Sequence, residues 1–322
     1  MMKARTLTFA LLAASPLAAQ QPEAARGAEL FGAGVFSTGR YELPPTFTRD
    51  GRTAWFTVST PAYGRYHAIL ETHWDGSRWS DPQLAPFSGQ HADADPLLSP
   101  DGARLFFLSR LPAPGRAPER QDFDIWFVAR TGAGWSEPQH VAAASGPEDE
   151  HYASVAADGT LYIAALRADS RGRGDIYRVP FVDGAYGTPE NLGAAVNSPD
   201  HHDTTPWIAP DQSYLIFGSF GRPEGTGAPG DLYVSFRRDG AWTPARNLGP
   251  LVNSRRTEYC PVVSPDGRFL YFASERGFAD APRPAQFTTA ALDSALGAPG
   301  NGLGDTWRIE LERVWEALGE RP

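Results

Sequence analysis

A turn motif that recurs five times constrains the fold of this chain more than any other feature. The motif centres on an aspartate, and successive aspartates are 51 to 57 residues apart. The five copies are centred on Asp50-Gly51, Asp101-Gly102, Asp158-Gly159, Asp211-Gln212 and Asp266-Gly267. Each copy precedes a short apolar segment, and Asp-Gly between apolar segments is typical of a tight turn joining two strands, because glycine readily adopts positive φ. A regular period of this length predicts a repeat architecture.

The first four repeats each carry signals for four strands, and the fifth carries signals for three. A third strand begins with aspartate in most repeats, and a fourth combines an aromatic residue with a proline, which suits an edge strand. The 33 glycines and 29 prolines favour short strands over helices. The sequence therefore predicts an all-β, five-bladed β-propeller of four-stranded antiparallel blades at residues 40–88, 91–142, 148–196, 201–252 and 256–310. We expect four aromatic residues to pack between blades, namely Trp79, Trp135, Tyr186 and Trp242.

The fifth repeat lacks an aromatic–proline strand, so another segment has to complete its blade. Residues 36–37 precede Glu42 by the same offset by which residues 252–253 precede Glu258. We therefore expect residues 33–38 to form an N-terminal strand that closes the last blade and removes an exposed edge. The propeller then spans residues 33–310, after a linker at 21–32. The tail at 311–322 is expected to form a short helix that caps one face.

Residues 1–20 have the pattern of a secretory signal, with a basic start at Lys3 and Arg5 and an apolar stretch after it. We therefore expect a periplasmic or secreted protein, acting as a monomer and without membrane insertion, because eight apolar residues do not span a bilayer. The formal net charge is −9, and an acidic surface excludes nucleic acid as a partner. With no lysine after Lys3, Schiff-base chemistry and a Walker lysine are excluded.

The turn motif also carries a family resemblance. Residues 99–102 and 264–267 read Ser-Pro-Asp-Gly, and the linker Asn191-Leu192-Gly193 recurs as residues 247–249. With these motifs the chain resembles the WD-repeat-like propeller repeats of TolB-type periplasmic proteins over about residues 34–310. The resemblance implies a propeller and an extracytoplasmic scaffold or binding role.

The loops after the second strands are long and share one face with the linkers between blades. They are residues 59–66, 110–121, 167–174, 220–230 and 275–304. Long loops on a rigid scaffold are where binding residues concentrate. We therefore expect this long-loop face to bind a protein or carbohydrate ligand.

An acidic residue precedes each turn aspartate by eight positions. The five acids are Glu42, Asp93, Glu150, Asp203 and Glu258. Because the first strand of each blade lines the central channel, we expect these carboxylates to form a ring at its mouth. Together with His151 and Tyr259, they are the predicted ligand-binding residues of the channel mouth.

Three interpretations of this ring of acids remain open. In a structural role, each carboxylate accepts hydrogen bonds from backbone amides or pairs with an arginine of a neighbouring blade, such as Arg110 or Arg276. In a second, the ring binds a hard cation such as Ca²⁺ or Mg²⁺. In a third, Glu150, Asp203 and Glu258 perform glycoside hydrolysis.

Two linkers depart from the repeat and favour a different ion. They contain His91, Asp93 and Asp95, and His201, His202 and Asp203. Imidazole and carboxylate ligands suit Zn²⁺, so these six residues are candidate metal ligands. The lone cysteine, Cys260, is expected to be a small core residue. The function that we predict is an exported, TolB-like binding module, and the alternative is a secreted carbohydrate-active enzyme that uses the acids of the channel mouth.

Overall fold

The computed structural model describes residues 27–60, 66–115, 122–132, 134–277, 280 and 286–322. Within these residues, five antiparallel sheets form a five-bladed β-propeller, which confirms the predicted fold class. The expected secretory signal at residues 1–20 lies outside the described residues, as do parts of three long loops, at 61–65, 116–121 and 278–285 apart from Asp280. No helix in the described ranges is long and apolar enough to cross a membrane.

The strands are numbered along the chain, and β1 (Glu29–Leu30) belongs to the last blade. Blade one contains β2 (Tyr41–Glu42), β3 (Thr46–Phe47), β4 (Thr53–Ser59), β5 (His67–His73) and β6 (Gln83–Leu84). Blade two contains β7 (Asp93–Leu98), β8 (Arg104–Ser109), β9 (Asp124–Thr131), β10 (Gly134–Trp135) and β11 (Gln139–His140). Blade three contains β12 (Glu150–Val155), β13 (Leu161–Ala165), β14 (Asp175–Val179), the hairpin of β15 (Phe181–Val182) and β16 (Ala185–Tyr186), and β17 (Glu190–Asn191).

Blade four contains β18 (His202–Ile208), β19 (Tyr214–Phe220), β20 (Gly230–Arg238), β21 (Ala241–Trp242) and β22 (Arg246–Asn247). Blade five contains β23 (Glu258–Val263), β24 (Phe269–Ser274) and β25 (Asp305–Glu310). Two helices follow β24, namely α1 (Thr289–Leu296) and α2 (Leu311–Leu318). In each blade, the first strand lies innermost and successive strands pair antiparallel.

The predicted aromatic–proline strand is divided into two pieces. In blade two, Trp135 lies in β10 and Pro138 precedes β11, and both short strands pair with β9. The division arises because proline has no amide hydrogen to donate to the sheet. For two of the four aromatic residues, the predicted packing between blades is formed: the ring of Trp135 lies 5.6 Å from that of Trp55 in blade one, and Trp242 lies 6.2 Å from Tyr162 in blade three.

An N-terminal strand closes the last blade, which confirms the predicted mode of closure. The closing strand is β1, which pairs with β25 through Glu29 opposite Arg308 and Leu30 opposite Trp307. The prediction that residues 33–38 form this strand is therefore wrong, and part of the expected linker at 21–32 belongs to the sheet. The physical reason is that residues 32–37 form a tight turn, in which the amide of Phe36 donates to the carbonyl of Gly32.

The offset that led to residues 33–38 has a different meaning. In blade four, the side chain of Asn253 bonds to both the amide and the carbonyl of Leu232 at 2.9 Å. In blade five, the hydroxyl of Ser37 makes the same two bonds to Thr306, at 3.0 and 3.2 Å. Residue 37 thus corresponds to a polar linker residue whose side chain is hydrogen-bonded to the third strand. In both blades, the outer strand precedes this linker residue in the chain.

The C-terminal helix packs against blades four and five. Trp315 of α2 meets the rings of Tyr214 and Phe236 edge to face, at 5.2 and 5.7 Å between centroids, and Val314 is fully buried. By contrast, α1 buries none of its own residues. The tail was expected to be helical, and α2 covers residues 311–318 of it.

Where the first and last blades meet, one buried carboxylate accepts fewer hydrogen bonds than the equivalent carboxylates of blades three and four. The third-strand aspartates of blades three and four accept hydrogen bonds from Asn191 and Asn247, at 2.7 and 3.0 Å. The corresponding Asp305 is fully buried and accepts one from the amide of Gly300. Leu30 of β1 occupies the position of those asparagines. Burial, and to a smaller extent the charge of Glu42, raises the pKa of Asp305 to about 7.

We expect Leu30→Asn to stabilise the protein at pH 8 but not at pH 4.5. Between about pH 4 and 7, the unfolded chain releases the Asp305 proton while the folded chain retains it, so folding stability falls as the pH rises. An amide donor at position 30 would stabilise the carboxylate by about 1 to 2 kcal/mol. Urea unfolding at both pH values measures the effect. Asp305→Asn is the control and should give a similar gain at pH 8, whereas a gain of Leu30→Asn that persists at pH 4.5 would contradict this explanation.

Candidate functional site

The ring of predicted acids lies at the start of the innermost strands, and all five carboxyl groups are buried. Their residues are at most 1% exposed, and they are Glu42, Asp93, Glu150, Asp203 and Glu258. Each carboxylate accepts hydrogen bonds from the linker that precedes its strand. Four of the five also bond to a side chain at the end of the second strand of the same blade or just beyond it.

Glu258 has the most complete set of partners. It accepts hydrogen bonds from the amide and hydroxyl of Ser254, at 2.9 and 2.7 Å, and from the hydroxyl of Ser274 at 2.6 Å. The guanidinium of Arg276 completes the set at 2.9 Å. The carboxylate therefore ties the linker to the second strand of its own blade.

Asp203 and Glu150 repeat this arrangement. Asp203 accepts from the hydroxyl of Ser219 at 2.6 Å and pairs with Arg222 at 2.7 Å. Glu150 accepts from the amide of Gly146 at 2.7 Å and pairs with Arg167 at 3.3 Å. The arginines come from the same blade, so the expectation of pairing between neighbouring blades is wrong. The reason is that the loop after each second strand returns to the linker of its own blade.

The other two acids use hydroxyl groups or a linker arginine. Asp93 accepts from Ser88 and Ser109, at 2.8 and 2.6 Å, and burial raises the pKa of this carboxyl. Glu42 accepts from the amide of Thr38 at 3.0 Å and pairs with Arg40 at 3.1 Å. These contacts favour the structural interpretation of the ring.

Arg110, the other predicted partner of the acids, lies elsewhere. Its guanidinium carbon lies 4.4 Å from the centre of the Phe123 ring. A cation over an aromatic face is a favourable contact. The expected pairing of Arg110 with a ring acid of a neighbouring blade is therefore not formed.

The predicted metal ligands do not form a metal site. Among the residues that the structure describes, no three His, Cys, Asp or Glu side chains are placed to hold one ion together. The six candidates for a zinc site, His91, Asp93, Asp95, His201, His202 and Asp203, are therefore not brought together around one ion in the described part of the chain. The reason is that Asp93 and Asp203 are engaged by hydroxyl groups and Arg222, while Asp95 and His202 face a separate cavity.

That cavity lies at the mouth of the channel and has a volume of about 320 Å³. All five blades contribute to its wall, because the innermost strands converge on the channel. The lining residues are Tyr41, Asp95, His151, His202, Thr204, Thr205, Phe220, Thr257, Tyr259, Cys260 and Glu275. We call it the mouth pocket. Of the predicted ligand-binding residues, His151 and Tyr259 line it, whereas the five ring acids do not.

A bulge in the innermost strand directs some of these side chains. In four blades, the residue two positions after the ring acid has a left-handed backbone, with φ between 48° and 58°: Asp95, Tyr152, Thr205 and Cys260. The sheet register shifts at the same place. A bulge re-aims a side chain, and such a conformation costs roughly 1 to 3 kcal/mol in a non-glycine residue. Blade one has Pro44 at this position, whose ring holds φ negative.

The signal for these positions was present in the repeat. Their offset from the ring acids is constant, although the residue type changes from blade to blade. A structural position tends to keep its residue type in every repeat, whereas a binding position varies with the shape of its ligand. The recurring acids are therefore the residues that the sequence predicts, whereas the variable residues two positions later, apart from Asp95, are not predicted as ligand contacts.

Asp95 is the most unusual ionisable group of the mouth pocket. The residue is 5% exposed, and burial raises the pKa of its carboxyl to about 7. Its Oδ1 lies 4.0 Å from the sulfur of Cys260, and its amide donates to Thr57 of blade one at 2.9 Å. Burial also raises the pKa of the Cys260 thiol well above its usual value, so the thiol is protonated at neutral pH and is a poor nucleophile.

Two histidines form another part of the wall. The rings of His151 and His202 lie 6.0 Å apart, and His202 lies 6.0 Å from Phe220. Burial lowers the pKa of both imidazoles, and the neighbouring His202 lowers that of His151 further. Both rings are therefore neutral at pH 7, and each offers one donor and one acceptor.

Two hydrogen-bonded tyrosine hydroxyl groups lie in another part of the pocket wall. The hydroxyl groups of Tyr41 and Tyr259 are hydrogen-bonded to each other, and that of Tyr41 also donates to Glu275 at 3.2 Å. Burial raises the pKa of both tyrosines, so they remain protonated. The mouth pocket thus combines hydroxyl, imidazole and carboxyl groups with aromatic rings, and its wall contains no arginine or lysine from the described part of the chain.

Comparisons with known proteins address the fold. No protein-family model matches the chain, and no curated protein matches it in sequence. An α-L-arabinofuranosidase from Lactobacillus brevis is 13% identical over 86% of this chain and 92% of that chain, with a TM-score of 0.51. A putative TolB from Agrobacterium tumefaciens is 17% identical over 84% and 90%, with a TM-score of 0.49. The likeness is one of fold.

TolB from Acinetobacter baumannii is also similar, at 18% identity over 73% of this chain and 49% of that chain, with a TM-score of 0.46. This chain therefore spans about half the length of that protein. TolB structures are therefore among the structures to which this chain is similar. The WD-repeat-like part of the predicted resemblance has no support from a family model.

Proposed function

We propose that this protein is an exported, TolB-like propeller that binds a glycan in the mouth pocket without catalysing a reaction. The observation that carries the proposal is a pocket of about 320 Å³ to which all five blades contribute side chains, with a few polar groups in a mostly apolar wall. Pockets of this size, in which a few polar groups converge, are where small ligands bind. A rigid ring of blades also holds such a wall in place before the ligand arrives, which lowers the entropic cost of binding.

The chemistry of the wall favours a sugar over a protein side chain. Thr204, Thr205 and Thr257 lie in the wall, and two neutral imidazoles there each have one donor and one acceptor. Such groups match the alternating donors and acceptors of a sugar ring. Phe220 adds an apolar surface against which the C–H face of a sugar can pack. A protein ligand on the long-loop face is the other outcome of the test below.

The positions of the ring acids support binding over hydrolysis. Glycoside hydrolysis needs two carboxyl groups that flank the scissile bond. Glu150, Asp203 and Glu258 are instead buried and hydrogen-bonded to linkers and arginines. Export is proposed from the secretory pattern at residues 1–20, and the acidic composition supports a partner other than nucleic acid.

The test is a titration of the protein with a panel of neutral and charged oligosaccharides, followed by calorimetry on variants. We expect Phe220→Ala to weaken binding at least tenfold, because it removes the apolar surface of the pocket. The matched control is Phe269→Ala, at a half-buried phenylalanine of the opposite face, which should leave the affinity unchanged.

Two results would overturn the proposal. The first is that no saccharide binds, including the case in which a protein ligand does. The second is turnover of aryl glycosides that is lost in Glu150→Gln or Asp203→Asn, since the carboxylates of the ring would then be catalytic.

A further inference from the structure

The charges around the mouth pocket are one-sided. Its wall contains two carboxyl groups, Asp95 and Glu275, and its two histidines are neutral at pH 7. Among the residues that the structure describes, no arginine or lysine lines it. A pocket of this kind disfavours an anionic ligand and favours a neutral or cationic one.

Two of the described arginines on this face, Arg222 and Arg276, are held by other contacts. Arg276 is bound to Glu258, to the hydroxyl of Ser274 and to the carbonyl of Val252. Arg222 makes the equivalent contacts in blade four. Moving either guanidinium into the pocket would leave a buried carboxylate unpaired, which is strongly destabilising.

Asp95 makes the lack of a cation costly. The residue is 95% buried, since it is 5% exposed, and the group next to its Oδ1 is a protonated thiol at 4.0 Å. Burying a carboxylate without a charged partner is unfavourable. A ligand that carries a cationic hydrogen-bond donor would remove this cost on binding, and the charge-assisted bond would be stronger than a neutral one.

The rest of the wall is suited to the same group. Glu275 accepts one hydrogen bond from Tyr41 through Oε1, and a carboxylate has further lone pairs that can accept bonds from a ligand. The aromatic side chains of Phe220, Tyr41 and Tyr259 also line the pocket, and the face of an aromatic ring attracts cations.

We infer that the mouth pocket selects a sugar bearing a primary ammonium group, such as a glucosamine unit without its acetyl group, and that Asp95 and Glu275 bind the ammonium. The inference rests on the proposed function, because it specifies the class of glycan bound at the same site. Acetylation of the amine removes the positive charge and adds bulk, so the pocket should not prefer the acetylated sugar.

The test compares a trimer of glucosamine with a trimer of N-acetylglucosamine at pH 7 by calorimetry. We expect the amine form to bind at least tenfold more tightly, and this ratio to fall as the salt concentration rises. Asp95→Asn and Glu275→Gln should each reduce the ratio severalfold, and Glu316→Gln, an exposed site on α2, should leave it unchanged. A melting curve of each variant confirms that it is folded.

The outcomes separate this inference from the proposed function. Equal affinity for the two trimers, or a ratio unaffected by Asp95→Asn and Glu275→Gln, would overturn the ammonium site while leaving a glycan-binding propeller. Failure of every saccharide to bind would overturn both. A lysine-containing peptide that binds through Asp95 and Glu275 while the amine sugar does not would overturn the choice of a sugar.

Discussion

Removal of residues 21–39 is expected to lower the melting temperature of this protein by roughly 10 °C or more, or to prevent folding altogether. The deletion removes β1 from blade five and the two bonds that Ser37 makes to Thr306. It also removes Phe36, whose fully buried ring packs against Phe56 and Trp79 at 5.1 Å. The third strand of the last blade would become an exposed edge, which promotes association between chains.

A single substitution tests the same closure with less disruption. Phe36→Ala should lower the free energy of unfolding by about 3 to 5 kcal/mol, as expected for a fully buried phenylalanine. The control is Leu292→Ala on α1, where the side chain is 38% exposed and little should change. Urea unfolding measures both variants. If the variant without residues 21–39 had the same melting temperature as the wild-type protein, the N-terminal segment would not be what holds the ring closed.

Glu258→Ala is expected to lower the free energy of unfolding by about 3 to 5 kcal/mol, because it breaks a buried ion pair and leaves one partner without its counter-charge. Four hydrogen bonds to the carboxylate are lost, two of them from Ser254 in the linker. Glu258→Gln should cost less, since its carbonyl oxygen still accepts from part of this set.

The double variant Glu258→Ala/Arg276→Ala gives the sharper test. If the two residues act as a pair, the double variant should lose less unfolding free energy than the two single variants lose in total. Glu275→Gln is the matched control, because that carboxylate lies at the mouth pocket and accepts a hydrogen bond from Tyr41. If Glu258→Ala were as stable as the wild-type protein, the structural role of the ring would be contradicted. Its carboxylates would then again be candidates for binding a ligand.

The repeat made much of the fold predictable. A turn at Asp101-Gly102 or Asp266-Gly267 is encoded locally, because glycine accepts the positive φ that the turn requires. The apolar segments after the turns then predict strands, and counting them predicts five blades. The closing strand was placed a few residues too late because Ser37 imitates Asn253 in its contacts, and two-residue strands such as β1 have no periodicity to detect.

The candidate site could be predicted only in outline. Two of the residues that the sequence predicts for the channel mouth, His151 and Tyr259, line the pocket, whereas the five acids do not. The direction of each carboxylate was not predictable, because it depends on the path of a linker and on serines or arginines about 16 to 19 residues later in the chain.

Local sequence therefore accounts for the turns, the strands and the number of blades, since these depend on interactions between residues close together in the chain. The mouth pocket depends on closure of the ring, which brings Tyr41 within hydrogen-bonding distance of Tyr259 and Glu275 although more than 200 residues separate them. The left-handed bulges at Asp95 and Cys260 are likewise held by the surrounding blades, because neither residue favours that conformation alone. Tertiary packing thus decided which side chains face the ligand and which hold the propeller together.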